Sequence, residues 1–274
     1  MVAAWQSAPG IALTLEALLD QRAPRGTVAR PAARRAGVRA SRHAGSGMDL
    51  REIRAYVAGD DPRWLDPSAT ARTGVPHIRA LHEDRDDITL LIADLRRPML
   101  WGTGTALRSV RGALHLAALG WQAIARQGAV GLVTADGSSA HLLPPAAGEG
   151  QMLTLCRMLA DRHAGALAGG AQTATLTEAL SLAARAAPSG AHVILATALD
   201  GWLGAEAALT RLARGRRLEV ALILDPLELA PPPRAMPVRQ GATARMLRLS
   251  PADLDAQTDR LAAMGAAAMR VAPS

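Results

Sequence analysis

The chain predicts an α/β fold: a doubly wound, mostly parallel sheet preceded by an irregular N-terminal segment. Two observations carry this. From residue 87 onward, short apolar runs alternate with amphipathic stretches of ten residues or more. The first of those runs, 88–93, is apolar at nearly every position, as a strand covered on both faces requires.

The elements follow in chain order. Residues 10–20 suit a short amphipathic helix, and 22–47, rich in Arg, Ala, Gly and Ser, read as irregular or edge-strand structure. After the strand at 88–93 comes the strongest helical pattern, 105–127. Leu107, Val110, Leu114, Ala117, Trp121 and Ile124 recur there at spacings of three and four. Arg108 and Arg111 fall off that stripe, and Gly128 supplies a stop. A strand at 129–134 is expected to pair antiparallel with 140–143 across the Asp136-Gly137 turn. Helices at 149–161 and 174–186, a strand at 192–197, a helix at 203–214 and a strand at 218–224 continue the alternation. Asp225-Pro226 then breaks the chain, and a Pro-rich linker at 231–237 leads to a short strand near 244–249. Ser250 followed by Pro251 predicts a capped helix start, and 266–271 a final edge strand.

Composition narrows the chemistry. All 31 basic residues are arginine, so Schiff-base catalysis, a lysine general base and a Walker A phosphate loop are excluded. The net charge of +7 is uneven: residues 1–43 hold seven Arg against Glu16 and Asp20. That basic arm suits contact with nucleic acid or an acidic membrane surface, or is a solvated segment, and Trp5 is its only base-stacking aromatic. Cys156, the single cysteine, sits on a helical apolar stripe with Met152, Leu155 and Leu159 and reads as a buried structural thiol. No run reaches the 18 apolar residues of a membrane span, and no signal-peptide pattern opens the sequence, so a cytoplasmic location is expected.

Residues 54–72 carry the most specific pattern. Gly59, Asp60, Asp61 and Pro62 form a tight-turn sequence, ringed by Arg54, Arg63, Arg72 and Asp66, with Tyr56 adding a ring with a polar tip. This reads as a salt-bridged knot stapling the segment to the sheet, or as a partner-binding surface. Together with Ala71, the spacing resembles the signature of a bacterial von Willebrand factor A-like family of unknown function, the fifty-eighth of that series, found beside MoxR-type AAA+ ATPases. A strand ending at Asp94 and the run Asp225 to Glu228 extend the resemblance over roughly residues 40–235. Leu65-Asp66-Pro67 departs from it, lacking the family's tryptophan, with Trp64 as a partial substitute. The resemblance implies a von Willebrand factor A-like domain at 85–274, with 1–84 packed on it as a basic and signature-bearing segment. It also implies an adaptor or assembly role with a MoxR-type ATPase and a client protein.

Such domains often hold Mg²⁺ on an Asp-x-Ser-x-Ser motif after the first strand. Here Asp94 is followed by Arg96 and Pro98 at the two serine positions, and Ala198 stands where a later Asp is expected. Neither Arg nor Pro ligates a cation, so no metal and no cofactor are expected. Instead Arg96 or Arg97 places a positive charge where the cation would sit, to receive a partner's acidic residue; the alternative is two loop arginines paired with Asp94. Strand-end Asp94 is also where fold logic alone puts a ligand site. Gly102-Thr103-Gly104 lacks a third glycine at Leu107 and reads as a plain loop, the seven His show no metal spacing, and Ser138 and Ser139 lack a nucleophile elbow. A non-enzymatic adaptor is the leading expectation. A nucleic-acid-binding protein using 22–42 and a metal-dependent hydrolase are its rivals, and peripheral membrane contact stays open.

Overall fold

The computed structural model describes residues 8–22, 44–57, 64–82, 87–169, 174–240 and 243–273. The chain divides into two compact units, Arg25–Asp86 and the combination of Met1–Pro24 with Asp87–Ser274.

In the small unit, strand β1 (Ala44–Ala55) pairs antiparallel with β2 (His77–His82). Leu65 bridges Ile78, and a short helix lies between the strands at Pro67–Thr73. That helix begins where Pro67 fixes its first turn and Asp66 accepts the Ala69 amide at 2.8 Å. It ends where Gly74, at φ 73°, takes the left-handed conformation that closes a helix.

The large unit is built on six strands in the order β10-β7-β6-β3-β4-β5. They are β3 (Ile88–Asp94), β4 (Ala129–Ala135), β5 (Ala140–Ala147), β6 (His192–Thr197), β7 (Arg217–Ile223) and β10 (Ala266–Val271). All neighbours run parallel except β5, which returns antiparallel along β4 through the Asp136-Gly137 turn. Side-chain alternation splits the core in two. Leu90 and Ile92 of β3 join one cluster with α5 (Leu176–Ala186), α6 (Glu206–Ala213) and α8 (Leu254–Ala263). Leu91 and Ala93 join the other with α1 (Leu15–Leu19), α3 (Arg108–Ala125) and α4 (Glu149–Ala168). Helices cover both faces, which is why β3 is apolar on both faces over 90–93. Cys156 is fully buried on α4, and burial pushes its thiol up to about 11.

Four local expectations are corrected. The helix expected at 10–20 is only α1, capped by Thr14. The last helix starts three residues later than Ser250 and Pro251 suggest: the Asp253 carboxylate accepts the Ala256 amide at 2.9 Å and is the cap. The linker at 231–237 runs into a strand, β8 (Met236–Gln240), paired with β9 (Thr243–Leu247). The largest change is on α3, where Arg108 and Arg111 are buried while Leu114 is only half-buried. This helix is enclosed on more than one side, by the sheet and by α1 and α4, so small residues set its buried surface. At Gly120 a Cβ would stand 2.8 Å from the Met152 sulfur, so α3 and α4 approach through that glycine.

Between those two helices His163 is 1% exposed, and its Nε2 lies 2.9 Å from Ser109 Oγ. Burial pulls the imidazole down from 6.5 to about 4, so the folded protein holds it neutral. The unfolded chain takes up this proton first as pH falls, so stability is lost from about pH 6.5 down to about pH 4. Replacing His163 with Gln, which keeps a partner for Ser109, is expected to make the loss between pH 7 and pH 5 smaller by about 2 kcal/mol. Urea denaturation of both proteins at the two pH values measures it; parallel pH profiles would refute the assignment.

Candidate functional site

The chain leaves β3 toward β4 through α3 on one face, and leaves β6 toward β7 through α6 on the other. The adjacent carboxyl ends of β3 and β6 are therefore the topological switch point, where open α/β sheets place their ligands.

Asp94 ends β3 and is 1% exposed. Its Oδ1 accepts the Arg96 amide at 3.1 Å and Arg96 Nε at 2.8 Å. Its Oδ2 accepts Arg96 Nη2 at 2.8 Å and the Thr197 hydroxyl, from the end of β6, at 2.7 Å. Arg96 Nη2 also donates to the Gly201 carbonyl at 2.6 Å. A Cβ on Gly201 would stand 2.4 Å from Thr197 Oγ1, so only glycine lets this turn close onto the strand end. The guanidinium thus neutralises a buried carboxylate by a two-pronged contact and ties it to the neighbouring loop. A divalent cation does not fit this donor set, because both Asp94 oxygens are engaged and the flanking group is itself a cation.

The next strand end carries a second polar cluster. Asp225, fully buried after β7, caps the short helix α7 (Pro226–Leu229) in a reciprocal box. Its side chain accepts the Leu227 amide at 3.0 Å, and its own amide donates to Glu228 Oε2 at 2.8 Å. Asp225 also accepts the Thr103 amide at 2.8 Å and the Thr103 hydroxyl. Burial alone would raise this carboxyl, but the Thr103 and Leu227 donors and the Arg108 charge hold it below the usual range. Glu228 goes the other way, pushed up by burial, with Asp200 and Asp225 adding to that against the Asp225 amide and Arg108. Arg108 Nη2 pairs with Glu228 at 2.7 Å, Nη1 donates to the Pro98 carbonyl at 3.3 Å, and the guanidinium stacks 4.0 Å from the Trp101 ring. Arg111 donates to the carbonyls of Leu224 at 2.7 Å and Val271 at 3.3 Å, tying α3 to two strand ends. Around these clusters Arg97, Trp101, Asp200 and Leu203 are exposed.

A third cluster closes β4. Asp136 accepts the amides of Ser138 and Ser139 at 3.0 and 3.1 Å and the Ser138 hydroxyl at 2.7 Å. Burial would raise this carboxyl, but those donors and His141 outweigh it and lower it. Ser139 Oγ lies 2.7 Å from His141 Nε2, and Asp136 Oδ2 lies 3.3 Å from the same nitrogen. A hydrolytic triad needs its acid on the opposite ring nitrogen, so these three side chains do not form one.

The expected site residues separate into two groups. Asp94 and Arg96 meet in an ion pair, whereas Arg97 is exposed at the start of the turn Arg97–Met99, whose Met99 is buried. The signature residues lie in the small unit. Arg54 Nη1 donates to the Ala55 carbonyl at 3.0 Å, and the Tyr56 amide donates to the Pro76 carbonyl at 2.8 Å. Asp66 caps the short helix and Arg72 is exposed in its last turn. Gly59, Asp60, Asp61, Pro62 and Arg63 lie outside the described residues, as does the basic arm at 23–43. Sequence reasoning missed Thr103, Arg108, Thr197 and Gly201. Glu228 was readable as the third residue after an Asp cap, a spacing that marks a capping box.

Fold and site together define a doubly wound α/β protein whose switch point holds an internally neutralised carboxylate. The family described as "Protein of unknown function DUF58" matches residues 52–252, and the chain belongs to that family. Two mycobacterial relatives, Uncharacterized protein Rv1480 of Mycobacterium tuberculosis (strain ATCC 25618 / H37Rv) and Uncharacterized protein Mb1516 of Mycobacterium bovis, are each 27% identical over 213 residues. The match covers 77% of this chain and 58% of each relative, so the chain spans little more than half their length. Among solved structures, BatB from Bacteroides thetaiotaomicron is similar at a TM-score of 0.45 and 17% identity, over 68% of this chain and 91% of that one. An aerotolerance-related membrane protein from Bacteroides fragilis is similar at a TM-score of 0.43, with the same identity and coverage. Among the described residues no helix is long and apolar enough to cross a membrane.

Replacing Arg96 with Ala would leave the buried Asp94 carboxylate with the Thr197 hydroxyl and the residue-96 amide but no positive charge, at an expected cost of about 3 kcal/mol in denaturant unfolding. Pairing that change with Asp94→Asn is expected to recover more than half of the loss, because the uncompensated charge goes with it. A single variant as stable as the parent would show that the guanidinium does not neutralise Asp94.

Proposed function

We propose that this protein is a non-enzymatic adaptor, a von Willebrand factor A-like domain that acts with a MoxR-type AAA+ ATPase on a client protein. The observation carrying the reading is the engagement of Asp94 by Arg96 and Thr197 at the switch point. A site that uses its strand-end carboxylate to hold itself together does not offer that carboxylate to a reacting group or a metal. What remains for a partner is the rim, with Trp101 39% and Leu203 47% exposed beside Arg97 and Asp200. Aromatic, aliphatic and arginine side chains in one place are the composition of protein-binding surfaces. The von Willebrand A-like assignment draws support from the strand order, which renumbered within the sheet reads 3-2-1-4-5-6 with an antiparallel third strand. The ATPase partnership rests on the family resemblance alone.

Arg97→Glu combined with Leu203→Glu alters the rim and leaves Asp94, Arg96 and Thr197 untouched. Binding to a MoxR-type ATPase from the same organism, followed by calorimetry, is expected to weaken by about tenfold or more. Undiminished binding would sink the rim as the contact surface, and no binding by the parent protein would sink the partnership.

A further inference from the structure

The ribbon of β8 and β9 stands apart from the six-stranded sheet. A two-stranded hairpin is marginal in water unless something covers a face or an edge. Here every residue of β9 is exposed, including Met246 at 64% and Leu247 at 43%. The two outer edges differ. Pro237 removes one amide from β8, a common way of blunting an edge, whereas Thr243–Leu247 contains no proline. β9 therefore keeps a full set of amides and is the better template for another strand.

Charge says what kind of strand. Between Leu229 and Asp253 the chain holds Arg234, Arg239, Arg245 and Arg248 and no acidic residue. Among the described residues, Arg234, Arg245 and Arg248 make no hydrogen bond or ion pair. A second copy is a poor occupant. Arg245 is the central residue of β9, so antiparallel pairing of β9 about its centre, or parallel pairing in register, sets Arg245 against Arg245. A membrane surface is also a poor fit, because apolar and basic residues share both faces. The register puts Met236, Val238 and Leu247 on one face with Arg245, and alternation puts Met246 on the other with Arg248. The ribbon has no aromatic side chain on which a nucleic-acid base would stack.

We infer that the free edge of β9 accepts an extended, acidic protein segment as a third strand, its carboxylates meeting Arg245 and Arg248 and its apolar residues covering Met246 and Leu247. Backbone pairing would supply affinity and the arginines would select sequence. This surface is independent of the switch-point rim, so its failure would leave the adaptor reading standing.

The test uses the full chain and a fluorescein-labelled octapeptide of two Glu-Val-Val-Glu repeats, which sets Glu opposite Arg245 and Arg248 and Val opposite Met246 and Leu247, read by fluorescence anisotropy at low salt. Binding is expected for this peptide and not for its Lys-Val counterpart. A version of equal charge interrupted by a central proline is expected to bind about tenfold more weakly. Arg245→Glu with Arg248→Glu should abolish binding, and Met246→Pro should do so by blocking the edge. The exposed charge variant guards against a folding defect in the proline variant. Amide hydrogen exchange over 243–248 should slow when peptide is bound. Equal binding of the proline-interrupted peptide would reduce the contact to bulk charge and overturn the proposal. So would absence of peptide binding, whether or not the chain dimerises through the ribbon. Tighter binding to phosphatidylserine vesicles or duplex DNA, lost in the same arginine variant, would also overturn it.

Discussion

A carboxylate with 1% exposure at the end of a parallel strand needs a positive group and enough hydrogen bonds to replace the water it loses. Asp94 obtains both from Arg96, two residues along the chain, and from Thr197 across the sheet. Much of the strand-end architecture follows from that requirement. Since Arg96 must fold back over its own strand, the chain turns at Arg97–Met99 and delivers the Pro98 carbonyl to Arg108 at the start of α3. The same guanidinium holds the Gly201 carbonyl, fixing the turn that leads toward α6. One ion pair thereby links the two connections that diverge at the switch point.

Helix α3 is where these polar demands meet the apolar core. Its first turn carries Arg108 and Arg111 into buried positions, facing Glu228 and the carbonyls of Leu224 and Val271. Further along, Gly112 and Gly120 lie close under Met99 and Met152, so helix and neighbours touch nearly backbone to side chain. A chain without phenylalanine fills its interior in this way, with small residues and aliphatic side chains at close approach. The result is a sheet whose carboxyl edge is polar and largely occupied by its own contacts, with Arg108 Nε and Thr134 Oγ1 buried without a hydrogen-bond partner among the described residues, and an exposed rim of mixed character around it.

The strands and most helices of the large unit were legible because two-sided burial leaves a direct trace in sequence: runs such as 88–93 must be apolar on both faces. The turn after β4 was legible for a comparably local reason, since Gly137 takes a φ of 89° that other residues rarely adopt. The burial of Arg108 and Arg111 was not. Periodicity classes arginine as a solvent-facing residue, whereas here each finds acceptors more than a hundred residues away in sequence. The start of α8 was misplaced because Ser250 and Asp253 are both competent caps, and only the geometry of the preceding hairpin decides which carboxylate or hydroxyl reaches a free amide.

By itself the sequence determined the family, through the spacing of Arg54, Tyr56, Gly59 and their neighbours. It also determined the α/β class and the absence of lysine chemistry, because these depend on residue type and short-range spacing alone. The three-dimensional structure decided what the strand-end residues do. Asp94, Arg96, Thr197 and Gly201 form one network only because β3 and β6, about a hundred residues apart, are neighbours in the sheet. Sequence showed only that Arg96 and Pro98 follow the strand-end aspartate. It took the fold to show that Arg96 turns inward to Asp94, since only the packed neighbours fix where a long, charged side chain points.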